Sequence, residues 1–437
     1  MRGRSFIALA AGLMFVQVLF ASSSLAASMC GGKEATVVGT DDADTMEGTE
    51  GDDVINGLSG DDVINGHGGN DVICGDAGTD TLRGSAGDDI LLGGDGDDST
   101  STVVNVQIGG EPMGVDLDKG GLAGGKGDDK LLGGPGDDSM YGQAGTDNLQ
   151  GEDGNDYYEG GKGIDALTDN AGDDYMRGDA GADVLTAGVG DDSMNGGAGK
   201  DKIDAAGGEN YLLGADGSDT LLAGDGSDYI NGQKGNDRIV GGGGENTLIG
   251  EAGADSMSGG SADDYVNGGK AADFLAAGGG ENSVYGGGGN DVMSAGSAAD
   301  YMTGGGGDDR MKAGSGENSL HGGKGNDEMA AGGGVDYIEG QAGNDVISAG
   351  GGENTVHGGG GAEVISSGNG PDYLYGEAGA DVIRAASGND TLYGGNGDDD
   401  LYGEAGNDRI DGGDGKDFAD GGTGKDDCNA AKTAKNC

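Results

Sequence analysis

The chain has 437 residues, 108 of them glycine, with no tryptophan, 4% aromatics and a formal net charge of -57. That charge excludes nucleic acid, whose phosphates require cationic partners, and excludes attraction to anionic membrane surfaces. A chain this acidic and this poor in apolar residues does not order itself by hydrophobic burial alone, so a folded state calls for multivalent cations as a component.

The N-terminus is a different material from the rest. Arg2 and Arg4 precede an apolar run from Phe6 to Phe20, followed by the small residues ASSSLAAS. This is the layout of a secretory signal peptide, assigned to residues 1–26, with Ser24 and Ala26 before the cleavage point. The run is shorter than the ~20 residues a spanning helix needs. AASMC lacks the residues of a lipoprotein signal. A secreted, extracellular protein with no membrane span in the mature chain is therefore expected. Residues 27–38 read as an N-terminal cap. An even number of cysteines in an exported chain favours disulfides over zinc. Of the three pairings open to Cys30, Cys74, Cys428 and Cys437, nearness in sequence favours Cys30–Cys74 and Cys428–Cys437.

Residues 39–101 repeat every nine residues. With aspartate as position 6 of the unit, the first block contains Asp44, Asp53, Asp62, Asp71, Asp80, Asp89 and Asp98. The phase then breaks. Residues 102–119, with alternating TVVNVQI and MGVDLD around GGEP, read as a hairpin-like insert, either a recognition loop or an insertion the array tolerates. The phase resumes over residues 120–428 with Asp129, Asp138, Asp147, Asp156, Asp165, Asp174, Asp183, Asp192 and Asp201. It continues through Asp219, Asp228, Asp237, Asp255, Asp264, Asp273, Asp291, Asp300 and Asp309. Asp327, Asp336, Asp345, Asp372, Asp381, Asp390, Asp399, Asp408 and Asp417 complete the set of candidate metal ligands. CNAAKTAKNC closes the chain, with residues 429–437 as a C-terminal disulfide cap.

Nine residues fit neither helical nor strand periodicity alone. Glycine at positions 1, 2 and 4 permits a tight turn, and position 8 is mostly Ile, Leu, Met or Val. A six-residue turn followed by a three-residue strand winds the chain into an all-β solenoid, two nonapeptides per turn, with strands stacking into two parallel sheets. One aliphatic residue per nine does not offset the entropy of ordering the backbone, and stacked aspartates repel. A cation between turns removes the repulsion. Ca2+ suits the donors, because it accepts several hard oxygens in flexible geometry, whereas Mg2+ demands a strict octahedron and softer metals want His or Cys.

The units, for example GGKGNDEMA (322–330) and GGDGKDFAD (412–420), resemble the GGxGxDxUx nonapeptide of the RTX, or haemolysin-type calcium-binding, family. The resemblance implies a parallel β-roll with calcium between turns, each position-6 aspartate bridging two ions and turn carbonyls completing the shells. An N-terminal export signal departs from that family's usual C-terminal one.

A longer period overlies the first. GEN recurs with Asn210, Asn246, Asn282, Asn318 and Asn354 at position 6, so along one edge amides alternate with aspartates, while the other stays acidic, with Glu363 its one deviation from aspartate. Asn cannot bridge two cations as carboxylate does, which predicts weaker or alternate calcium sites there; duplication with tolerated drift is the other reading. The same unit sets Tyr229, Tyr265, Tyr301, Tyr337 and Tyr373 in an outward file about 9.6 Å apart, either a cell-surface or glycan-binding face or a cover for the sheet. His321 and His357 read as solvated passengers of the repeat.

Periodicity accounts for the carboxylates, and no Gly-x-Ser-x-Gly, HExxH or Walker motif is present, so no enzymatic activity is expected. The function read from the sequence is that of a secreted calcium-binding protein serving as a structural, adhesive or scaffold element. The alternatives are an extracellular calcium buffer or store, or an accessory binding module for an enzyme or glycan.

Overall fold

The structure, a computed structural model, describes residues 28–96, 98, 103–108, 111–116, 121–429 and 431–437. The signal-peptide reading lies outside the described residues. The described chain is all strand and turn, wound as a parallel β-solenoid of two sheets with 21 and 22 strands. Each strand pairs in parallel with the equivalent residues one turn away: Ile55 with Ile73, Ile64 with Leu82, Leu275 with Met293. At about 4.8 Å per strand the array is about 100 Å long.

Register follows from burial. In Arg409–Asp414, Ile410 and Gly412 are buried while Arg409 and Asp411 face out, and this alternation recurs turn after turn. Position 8 supplies the interior, with Ile55, Ile64, Ile73, Leu82 and their successors fully buried in one continuous core. Shifting a strand by a single residue would turn that whole row outward, so the pattern fixes the pairing.

The termini are tied down by side chains as well as by pairing. Met29–Cys30 and Lys33–Glu34 form an antiparallel hairpin. The Cys30–Cys74 disulfide, with Cα atoms 5.7 Å apart, fastens it to the outer face of one sheet. There Cys30, Val72 and Cys74 are buried, with Val54, Ile90 and Leu92 packed against them. Val37–Val38, immediately after the hairpin, is the first strand of the solenoid and pairs with Ile55 and Asn56. At the other end Thr433–Lys435 pairs with Phe418–Asp420. The Cys428–Cys437 disulfide closes this last, shortened turn.

The insertion leaves the winding untouched. Val103–Ile108 and Glu111–Asp116 pair antiparallel as a hairpin, while Gly121 takes the register place that follows Asp98 and pairs with Thr81. The turn before and the turn after are thus neighbours, with Asp89 bonded to Asp129 and Asp98 to Asp138 across a separation of 40 residues. Deleting residues 99–120 is expected to preserve the circular-dichroism spectrum of the calcium-loaded protein and to shift its melting temperature by no more than a few degrees. A collapse of β signal would show that the hairpin is part of the winding.

Candidate metal centres

Position 6 immediately precedes each strand, so its side chains line the two edges of the flattened coil. A first edge runs Asp44, Asp62, Asp80 through Asp408; a second runs Asp53, Asp71, Asp89 through Asp417. At nearly every step on both edges the main-chain N–H donates to Oδ1 of the counterpart one turn on, at 2.7 to 3.2 Å. The ladder holds each carboxylate in one orientation and commits one of its oxygens.

The other oxygen has nothing. Oδ2 of Asp62, Asp71, Asp80, Asp89 and Asp129, and of every position-6 aspartate from Asp183 to Asp417, is buried without a hydrogen-bond partner. Burying an unpaired charge is among the costliest things a fold can do, and here it recurs at almost every unit. Asp44 and Asp53 differ: the N–H and hydroxyl of Thr40 donate to Asp44 Oδ2 at 2.6 and 2.9 Å, and Thr49 does the same for Asp53 at 2.6 and 2.8 Å. In these two expected ligands a threonine's main-chain N–H and hydroxyl thus occupy the oxygen that is bare in their successors.

On the second edge each unpartnered oxygen faces the position-1 glycine of its own unit. A Cβ on Gly340 would lie 2.4 Å from Asp345 Oδ2 and 2.4 Å from the Gly358 carbonyl of the next turn. On Gly304 it would lie 2.4 Å from Asp309 Oδ2 and 2.6 Å from the Gly322 carbonyl, and on Gly394 2.4 and 2.5 Å from Asp399 Oδ2 and the Gly412 carbonyl. No carbon fits at such distances, but Ca–O contacts are about 2.3–2.6 Å. Nor does backbone conformation require glycine here, since none of these residues has positive φ, unlike the glycines that follow them (Gly305, φ 106; Gly395, φ 109). The glycine keeps open a space walled by hard oxygens, and the donor set fits a calcium-like cation.

Electrostatics show what the sites cost without a cation. Burial pushes Asp129, Asp273, Asp309 and Asp390 up to about 7, opposed by the backbone N–H each accepts and reinforced by the carboxylates of adjacent turns. Against an ordinary value of 3.8, the folded state then holds more protons than the unfolded chain between about pH 4 and 7. The contribution to stability is complete below the lower value and is lost as pH rises through the upper one. In EDTA the β-sheet signal is accordingly expected to be strongest near pH 4 and to decay towards pH 7, with calcium restoring it at neutrality. A chelated protein whose signal grows with pH would contradict this charge balance.

Three features escaped sequence reasoning. Asp169 stands at position 1, where glycine is usual, and its carboxylate meets those of Asp156 and Asp174, with oxygens mutually within 4.8 Å. The buried Tyr158 hydroxyl donates to Asp169. Burial raises Asp156 to about 9 and Asp174 to about 8, with Asp169 adding to both. Position 5 forms an outer ladder of opposite direction, in which a side-chain oxygen accepts the N–H one turn later, as from Asn70 to Asp52 (2.9 Å) and from Asn326 to Asp308 (2.7 Å). The frequent Asp and Asn before position 6 were its signal.

The third is aromatic. From Tyr265 to Tyr337 the tyrosine file is not spaced by gaps, because position-9 rings from intervening turns fill them, whereas Tyr229 stacks on Tyr211 instead. Tyr265, Tyr285, Tyr301, His321, Tyr337, His357, Tyr375 and Tyr393 follow one another with centroids 4.7 to 6.1 Å apart. His321 and His357 are therefore not solvated passengers. They pack in the stack and pair with Glu339 and Glu377 at 3.1 and 2.8 Å.

A family model described as RTX calcium-binding nonapeptide repeat (4 copies) matches the chain in successive segments from residues 38–73 and 75–100, through 122–149, to 393–428. No curated protein matches the chain.

Proposed function

The chain belongs to the RTX calcium-binding nonapeptide-repeat family, and from that premise we propose that it is a secreted protein whose solenoid is drawn together by calcium held between its turns. The repeat is a structural rather than a catalytic fold. One observation carries the reading: buried carboxylate oxygens without partners, repeated beside glycines that leave room for an ion. The ligands would be the position-6 aspartates from Asp62 onward with turn carbonyls, and the ion would supply the positive charge that the buried Oδ2 atoms lack. Export suits this, because extracellular calcium is abundant, and the two disulfides agree with an oxidising compartment. Among the described residues no helix is long and apolar enough to cross a membrane.

The structural, adhesive or scaffold role is favoured over a simple buffer by the aromatic row. A cleft of about 330 Å3 lined by Tyr337, Glu339, Gln341, His357, Gly359 and Glu377 lies on it. Stacked rings flanked by carboxylates suit a sugar face with hydroxyl donors. A buffer needs no such face.

Circular dichroism of the chain lacking residues 1–26, titrated with calcium and then chelated, is expected to show β structure rising with calcium at pH 7.5 and falling on chelation. Full β content in EDTA at that pH would end the calcium-driven reading. Calcium-dependent retention on glycan or cell surfaces that Tyr337→Ala with Tyr375→Ala weakens at least fivefold would support the adhesive role; high calcium stoichiometry with no retention would favour the buffer.

A further inference from the structure

The two edges do not offer the same site. On the second edge every position-1 residue from Gly196 to Gly412 is glycine. On the first, from residue 187 to residue 385, position 1 is Ala187, Ala205, Ala223, Ala277, Ala295, Ala313, Ala331, Ala349 or Ala385, with Ser367, Gly241 and Gly259 the exceptions. All these alanines except the partly buried Ala295 are fully or almost fully buried and belong to the core. Their methyl groups stand at the backbone position where, on the opposite edge, a Cβ would fall 2.4 Å from both a carboxylate and a carbonyl oxygen.

The carbonyls on this edge are also claimed. Asn246 Nδ2 donates to the Gly243 and Gly244 carbonyls at 3.3 and 3.1 Å, and Asn282 Nδ2 to those of Gly279 and Gly280 at 3.3 and 3.0 Å. Asn210 Nδ2 reaches the Gly208 carbonyl at 3.2 Å and the next turn's Ala223 carbonyl at 3.4 Å. The Ser367 hydroxyl donates to the Ala385 carbonyl at 2.9 Å. A Cβ on Gly241 would meet the Asn246 amide nitrogen first, at 2.7 Å, where the second edge presents an oxygen. Only Gly259 keeps the second-edge arrangement, with Asp264 Oδ2 and the Ala277 carbonyl at 2.3 and 2.5 Å.

We propose that between Ala187 and Ala385 the first edge takes no calcium, apart from the turn at Gly259. Methyl groups, amide N–H donors and one hydroxyl occupy the ion's place. Over this stretch the solenoid has an ion-bound edge and an opposite edge sealed by its own side chains. The inference rests on reading the second edge as calcium-binding and goes beyond weakened Asn sites, because the alanines remove the space itself. The aspartates left on the sealed edge keep their Oδ1 ladder and, as on the second edge, a bare Oδ2, so what the seal removes is the ion's space and its carbonyl ligands.

Native mass spectrometry of the chain lacking residues 1–26, with equilibrium dialysis as a second count, tests this directly. The expected stoichiometry is one ion fewer per sealed turn than for a uniformly loaded solenoid. Opening the seam with A277G, N282D, A313G, N318D, A349G and N354D together is expected to add about one ion per reopened turn. Closing the opposite edge with G268A, G286A and G304A is expected to remove about one per turn, and Ala331 beside Asp336 shows that alanine and aspartate coexist in this winding. Wild-type stoichiometry equal for both edges overturns the sealed seam while leaving calcium-driven folding intact; so does an unchanged count in a folded opened or closed variant. Should the variants fail to fold, the wild-type count decides alone. No bound calcium in the wild type overturns both readings.

Discussion

One constraint organises the molecule: a carboxylate is buried at nearly every ninth residue with one oxygen paired and the other bare. The N–H ladder makes this unavoidable. Once Oδ1 has accepted the neighbouring turn's N–H, Oδ2 is aimed into the coil beside position 1, and the side chain has no other place to go. A hydrophobic protein would exclude such a group. This chain repeats it until the groups form a continuous wall, which converts an electrostatic penalty into an edge-long receptor for positive charge. The aliphatic row at position 8 sets the register and supplies a narrow core, but it does not answer that charge.

The strain in the turns follows from the same geometry. Position 2 takes positive φ in most turns, and glycine does so freely in Gly269 (φ 104), yet Gln341 (φ 74) and Glu377 (φ 76) are held there too. Such residues cost on the order of 1–2 kcal/mol each relative to the ordinary backbone. They persist because the ladders above and below fix the turn. Position 1, by contrast, is glycine for want of room rather than for conformation. The two kinds of glycine are alike in the sequence and different in cause.

That distinction explains what the sequence made legible. Periods of nine and eighteen are written in side chains that alternate in burial, so the solenoid, its two sheets, its core row and the place of its interruption could be read from spacing. Asp44 and Asp53 could not be told from their successors, because their satisfaction depends on Thr40 and Thr49 folding back within the same turn. Asp169 looked like one acid among many until the winding set it between Asp156 and Asp174. The aromatic row was half seen: counting along one unit gives Tyr265, Tyr301 and Tyr337, but only the stacking of turns shows that Tyr285 and His321 fill the gaps. Each omission concerns a side-chain contact made by the folded turns that one-dimensional spacing does not encode.

The 36-residue period then has a physical cause beyond duplication. On an edge that binds an ion at every turn, adjacent carboxylates about 4.8 Å apart are tolerable because charge lies between them. Remove the ion and the same stacking is repulsive. Replacing every second aspartate by asparagine moves the remaining charges to about 9.6 Å, near the Debye length at physiological salt, while Asn Oδ1 still accepts the ladder N–H. The amide even helps its neighbour: Asn282 and Asn318 Nδ2 donate to Asp300 and Asp336 Oδ1 at 3.0 Å. Across the coil, burial pushes all four groups up; like charges on both sides add to this at Asp273 and Asp309, whereas Asp300 and Asp336 receive an Asn hydrogen bond that pulls the other way. Two turns is the shortest repeat in which an edge can alternate charge with amide, so the period is the signature of an edge that holds itself together without an ion.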